Sequence, residues 1–262
     1  MTSGEDAHLL TVAALRAAGC VFAEDEARLL HRHATSEAEL HEVVARRAAG
    51  EPLEHILGWV DFCGLRIAVD PTVFVPRRRT ELLAQVGVDL IAQVSSRSPM
   101  IVELCCGAGA VSAVLAQHHP DAQIWLVDID SRAVECAQRN VSGATGLIGD
   151  LLDPLPPHVR GAVDVMCANA PYVPTDEIAL MPTEARDHEP HTALDGGVDG
   201  TAIARRIISQ AADWLAPGGH LAIETSLRQV PLLIAAMHAA GLVATVQTDP
   251  AIDATVVRAR RR

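Results

Sequence analysis

Aromatic side chains are scarce, at 3% of 262 residues with a single tyrosine. The core must therefore be built from Ala, Val, Leu and Ile, and an aromatic in a candidate site carries more information than usual. Cationic charge is also short. Lys and Arg total 21 against 33 Asp and Glu, a net charge of −12. Neutralising nucleic-acid phosphates needs clustered Lys and Arg, so a nucleic-acid partner is not expected. The exceptions are Arg77-Arg78-Arg79 and the run Arg258 to Arg262, the latter read as a solvated charged face. The six cysteines form no C-x-x-C pair, and no basic-then-apolar leader opens the chain. Free thiols act as small hydrophobes, so the cysteines are expected reduced and buried, in a cytoplasmic protein. No apolar run approaches the ~20 residues of a membrane span. His188-Glu189-Pro190-His191 and His118-His119 suggest metal ligands, but Pro190 opposes the helical spacing of a zinc motif, and no metal is expected.

The first fifty residues read as helices. Leu9, Leu10, Ala13, Ala14 and Ala17 form a first stripe, and a second helix covers about Ala23 to His33. The third opens with the capping box Ser36-x-x-Glu39 and carries the stripe Leu40, Val43, Val44 and Ala48. Such short helices must pack on one another. Trp59–Phe62 and Leu65–Val69 then predict a hairpin around Cys63-Gly64, followed by extended Val73-Phe74-Val75-Pro76. A helix is expected from Thr80 to about Val94. From Met100 the pattern alternates strand and helix, as in a parallel α/β sheet. Strands are expected at Met100–Leu104, Gln123–Val127, Gly146–Ile148, Val163–Cys167 and His220–Glu224, after a turn at Pro217-Gly218-Gly219. Val243–Thr248 and Thr255–Val257 complete a set of seven.

Two stretches carry chemistry. Glu103-Leu104-Cys105-Cys106-Gly107-Ala108-Gly109 follows a strand and opens a helix, where glycines let the backbone approach a ligand. Asp128 ends the next strand about twenty residues on, where a ribose-binding acid belongs. Asp150, followed by Leu151, sits on the same rim. A dinucleotide loop would want a third glycine where Ser112 stands, and has no use for the acid Glu103 beside a pyrophosphate. S-adenosylmethionine carries a sulfonium and an ammonium instead, and a nearby carboxylate suits both. The second stretch is Ala168-Asn169-Ala170-Pro171-Tyr172, at the carboxyl end of a strand that the prolines stop. Asn169 offers an acceptor and two donors there, which suits a primary amide or exocyclic amine.

With these motifs, the chain resembles the release-factor glutamine N5-methyltransferases of the HemK/PrmC type. The matching residues are Arg46-Arg47-x-x-Gly50-Glu51-Pro52-Leu53-x-His55-Ile56-x-Gly58, Phe74-Val75-Pro76-Arg77-x-x-Thr80-Glu81, the loop Glu103 to Gly109, Asp128 and Asn169-Ala170-Pro171-Tyr172. Glu189-Pro190-x-Thr192-Ala193-Leu194 and Leu215-x-Pro217-Gly218-Gly219 complete the match. The resemblance implies a helical substrate-recruiting domain over 1–58, a hairpin linker over 59–76 and a seven-stranded, Rossmann-like class I methyltransferase domain over 77–262. It implies S-adenosyl-L-methionine held by Glu103, Cys105, Cys106, Gly107, Ala108, Gly109, Asp128, Asp150, Leu151 and Asn169. The substrate would be a glutamine of a peptide chain release factor, held by Asn169, Ala170, Pro171 and Tyr172, with Asn169 and Tyr172 catalytic and the enzyme a monomer. Departures are Ala170 where the family has proline, Cys105 where glycine is usual, and Arg78 where an Arg-Pro pair is usual. The competing readings are an adenine N6-type nucleic-acid methyltransferase, which uses a similar pocket, and a cofactor-binding protein that has lost catalysis through Ala170.

Overall fold

A computed structural model describes residues 4–96 and 98–262. The chain opens with three helices, α1 (Gly4–Ala17), α2 (Ala23–His33) and α3 (Glu37–Ala48), and a short α4 (Leu53–Leu57). Ser36 caps α3 by accepting from the Glu39 amide, as its capping box predicts. The bundle core is Val12, Leu15, Ala27, Leu30, Val43 and Ile56. The stripe expected on α1 is corrected, because Leu9 and Leu10 are 62% and 65% exposed while Thr11, Val12 and Leu15 turn inward. The alanines that defined that stripe bury too little surface to fix which face packs. On α3 the inner position expected for Ala48 belongs instead to Arg47, which is buried. Its guanidinium donates to Glu26 of α2 at 2.6 Å and to the Glu51 carbonyl at 3.1 Å.

Two strands follow, β1 (Trp59–Phe62) and β2 (Leu65–Ala68), paired antiparallel from Trp59↔Ala68 to Phe62↔Leu65. Cys63 and Gly64 both have positive φ, 50° and 77°, as a two-residue hairpin turn requires. Cys63 is exposed and Cys20 and Cys105 are partly so, which corrects the expectation that all six thiols are buried.

Beyond the linker come α5 (Glu81–Ile91), β3 (Met100–Leu104), α6 (Ala110–His118), β4 (Gln123–Asp128), α7 (Ser131–Asn140), β5 (Thr145–Ile148) and β6 (Val163–Ala168). α8 (Thr183–His188), α9 (Ala202–Trp214), β7 (Leu215–Glu224), α10 (Val230–Ala239), β8 (Val243–Asp249) and β9 (Ala254–Arg260) complete the order. The sheet runs β5-β4-β3-β6-β7-β9-β8. Its first five strands are parallel, and β9 is antiparallel to both neighbours. One face packs on α5, α6 and α7 through Leu83, Val86, Leu115, Cys136 and Ala137. The other packs on α9 and α10 through Ile207, Ala211, Leu233 and Met237. Strand order reverses at β3, with β4 to one side and β6 to the other, so a crevice opens at their carboxyl ends.

Three expectations shift. Pro217-Gly218-Gly219 is not a turn before a strand but lies inside β7, where the pairing with β6 slips between Val163 and Val165. The helix expected from Thr80 is α5, which starts one residue later and stops at Ile91. The basic run 258–262 enters the sheet: Arg258 and Arg260 lie in β9, and Arg260 donates to the Gly218 carbonyl at 3.2 Å.

Candidate active site

A cavity of about 480 Å³ occupies the crevice, within the range of small-molecule sites. Glu103, Cys105, Cys106, Gly107, Ala108, Asp128, Asp150, Leu151, Asn169, Ala170, Pro171 and Tyr172 all line it. Gly109 alone of the expected set does not. A Cβ there would come within 2.8 Å of Ala137 Cβ, so this glycine lets α6 pack against α7 rather than a ligand approach the backbone. Phe74 and Thr80 also line the cavity.

Each acid is positioned by backbone. Asp128, at the end of β4, accepts from the amides of Gly107 at 2.9 Å and Asp130 at 3.0 Å. Burial nonetheless raises its pKa. Two carboxylate oxygens carry about four acceptor sites, so the hydroxyls of a ribose can still be received. Glu103 is buried at the end of β3 and accepts from the Ser112 amide at 2.8 Å. Desolvation pushes its pKa from 4.5 to about 7, and the nearby Asp128 adds to the rise. A buried carboxylate under that penalty is relieved by a cation. The donor set therefore fits S-adenosylmethionine, whose ribose suits Asp128 and whose positive charges suit Glu103. Asp150 lies on the rim, paired with Arg206 of α9 at 2.7 Å. Cys105 adopts φ 54°, a left-handed conformation that costs a side chain on the order of 1–2 kcal/mol.

The second wall is the segment after β6. Asn169 Nδ2 donates to Thr80 Oγ1 at 3.3 Å. Among the described residues no hydrogen bond uses Asn169 Oδ1. Ala170 is buried, so the departure from proline leaves a packed side chain. The Tyr172 hydroxyl receives Arg79 at 3.3 Å and points its proton at Glu224 at 3.5 Å. Burial pushes its pKa to about 12, with the Glu224 charge contributing, so it stays neutral. Its ring is left to wall the cavity. Gln229 donates to the Tyr172 carbonyl at 2.8 Å and the Asp199 carbonyl at 3.1 Å. A Cβ at Gly200 would strike that amide and the Tyr172 carbonyl, which explains the glycine.

The return loop completes the wall. Glu189 accepts from the Val75 amide at 3.1 Å and from Arg77 at 2.6 Å. Arg77 on Glu189 and Arg79 on Tyr172 bring two arginines of the run 77–79 to the cavity wall, while Arg78 is exposed. The sequence singled out Arg79 only as part of a basic run, and Glu224 and Gln229 not as site residues. Glu224 ends a strand, as Asp128 does, and that position was the available signal.

Residues 67–181 match the family model described as methyltransferase small domain. The chain is 42% identical over 200 residues to the release factor glutamine methyltransferase of Mycolicibacterium smegmatis, covering 74% of this chain and 69% of that one. It is 38% identical to the enzyme of the same name from Streptomyces coelicolor, covering 74% and 71%. Among solved structures, the ribosomal protein L11 methylase of Lactobacillus delbrueckii subsp. bulgaricus superposes with a TM-score of 0.54 at 15% identity, over 75% of this chain and 86% of that one. That likeness supports the class I methyltransferase fold. With S-adenosyl-L-methionine as its methyl donor, the chain belongs to the release factor glutamine methyltransferase family.

Proposed function

We propose that this protein methylates the side-chain amide nitrogen of a glutamine in a peptide chain release factor. The observation that carries the reading is the orientation of Asn169: its NH₂ is engaged by Thr80, which leaves its carbonyl oxygen for a ligand in the cavity. When bound, S-adenosyl-L-methionine supplies an electrophilic methyl group on a sulfonium. The protein's part is to prepare the nucleophile. An amide nitrogen is weakly nucleophilic because its lone pair is delocalised into the carbonyl. Asn169 Oδ1 and the Ala170 carbonyl accept the two amide hydrogens and turn the lone pair into the cavity. Positive charge grows on that nitrogen as its bond to the methyl carbon forms and the carbon–sulfur bond breaks, the two acceptors favour that charge, and one amide proton is then lost to solvent. Tyr172 closes the side of the pocket, and fixing the two reactants together supplies much of the remaining rate.

We take residues 1–58 as the substrate-recruiting unit, 59–76 as the linker and 77–262 as the catalytic unit. Leu9, Leu10, Val21 and Phe22 are exposed on the helical bundle and supply apolar surface for a protein partner. The test is to incubate the protein with a bacterial release factor and methyl-labelled cofactor, then map the label by peptide mass spectrometry. Label on a glutamine side chain is the expected result. Label confined to nucleic acid, or absent from every glutamine, overturns the proposal.

A further inference from the structure

Gln229 is a buried amide, 5% exposed, in the turn Leu227–Gln229 between β7 and α10. The reaction above does not use it. Its Oε1 accepts from the Thr225 hydroxyl at 3.1 Å, the Ser226 hydroxyl at 2.8 Å and the Ser226 amide at 3.2 Å. Its Nε2 donates to the carbonyls of Tyr172 at 2.8 Å and Asp199 at 3.1 Å. The Ser226 N–H can only donate and the two carbonyls can only accept, so the side chain has one orientation. Thr225 is itself tied to the sheet, its N–H donating to the Thr255 carbonyl of β9 at 3.0 Å. Gly200 makes room for the arrangement, since a Cβ there would stand 2.2 Å from Nε2 and 2.3 Å from the Tyr172 oxygen.

The segment that Gln229 holds has little else to hold it. β6 ends at Ala168, and Pro171 has no N–H. Among the described residues, the Tyr172 carbonyl is the only backbone hydrogen-bonding group of residues 170–172 with a protein partner. Peptide planes are rigid and the Pro171 ring fixes its φ, so few soft torsions separate the Ala170 carbonyl from that of Tyr172. Anchoring the second therefore limits the swing of the first. We propose that Gln229 is a positioning residue for methyl transfer: it clamps the Tyr172 carbonyl to the sheet and so holds the Ala170 carbonyl where the substrate amide must meet it. This rests on the reading that Ala170 and Asn169 grip that amide. The charged groups beside the clamp, Arg228 and Asp199, are paired with Glu177 and Arg205.

Two variants and two readouts test the clamp. Gln229→Glu keeps the shape and exchanges the NH₂ for an oxygen. Protonated, the new carboxyl still donates to one carbonyl; ionised, it sets a negative oxygen against both. Burial places its pKa above the ordinary glutamate value of about 4.3. The kcat of Gln229→Glu, taken as a ratio to wild type at the same pH, should fall as pH rises through that pKa. The loss should reach about 100-fold, the cost of misplacing a reactant by about 1 Å. The ratio cancels groups that titrate alike in both proteins. Gln229→Met lacks both donors at every pH, so its loss should not depend on pH. Calorimetric affinity for S-adenosylhomocysteine should hold in both variants, which also counts the folded protein. The second readout needs no substrate. Tyr172 is the only tyrosine, so 3-fluorotyrosine labelling puts one 19F signal on the cavity wall. That signal should broaden or split in Gln229→Met, and in Gln229→Glu it should change with the midpoint seen in kcat. Wild-type kcat in both variants, or a fluorine signal unmoved in both, overturns the proposal. Loss of cofactor affinity in step with kcat also overturns it, because Gln229 would then serve the fold alone. If the wild type methylated no glutamine at all, the substrate reading would fall while the fluorine signal still judged the clamp.

Discussion

In the proposed reaction Asn169 holds the substrate amide and Glu103 faces the cofactor's positive charges, so their variants should separate accordingly. Asn169→Ala removes the acceptor offered to the substrate amide. Turnover should fall by on the order of 100-fold or more, as when one transition-state-stabilising group is lost. Calorimetric affinity for the cofactor should stay nearly unchanged, and equal loss of both would remove Asn169 from its role. Glu103 behaves differently because its pKa is raised, to about 7 from 4.5. In the free protein its neutral form contributes stability that is fully present below 4.5 and is lost as pH rises through about 7. A cationic ligand favours the ionised form, so cofactor binding near pH 6.5 should release protons (a pH chosen just below the Glu103 value of about 7). Calorimetry in buffers of different ionisation enthalpy measures that release, and Glu103→Gln should abolish it. Both residues were legible in the sequence because each is a polar side chain at the carboxyl end of an apolar strand. Gly109 was legible only as a glycine. Whether it faces a ligand or Ala137 depends on how two helices meet, which no local pattern records.

At the scale of elements, strands were read more securely than helix faces. Runs such as Ile101-Val102 and Val165-Met166-Cys167 are buried throughout, so their apolar character is unambiguous. The face of α1 was misread because Leu9 and Leu10 remain outside. β9 was read as three residues because alternating arginines in Arg258-Ala259-Arg260 mask a strand whose other face is buried. One side chain joins elements that the sequence shows only separately. Asn140, at the end of α7, accepts from the Ala68 amide at 2.9 Å and donates to the carbonyls of Ala68 and Ala108, each at 2.8 Å. It thus clips the hairpin to the cofactor loop. Asn140→Ala leaves those backbone groups without partners and should cost about 1–3 kcal/mol of stability. Denaturant unfolding would show it as a lower midpoint with an unchanged slope.

Over the whole molecule, Arg47 ties the helical bundle to the catalytic unit. It is buried between Glu26 of α2 and Glu184 of α8, at 2.6 Å from each. If the bundle recruits the protein substrate, Leu10→Glu and Phe22→Glu should raise KM for the release factor several-fold and leave KM for the cofactor alone. A short glutamine peptide that bypasses the bundle should show no change. The sheet has a consequence of another kind. β7 and β8 follow each other in the chain but are held apart by β9, which is made after both. During synthesis the growing polypeptide must wait with two bare strand edges until residues 254–260 clear the ribosome and slot between them. Unpaired edges invite pairing with other chains. A version stopped at Asp253 should accumulate in inclusion bodies although every residue lining the cavity is present, and gel filtration of any soluble remainder should show aggregates rather than a single species.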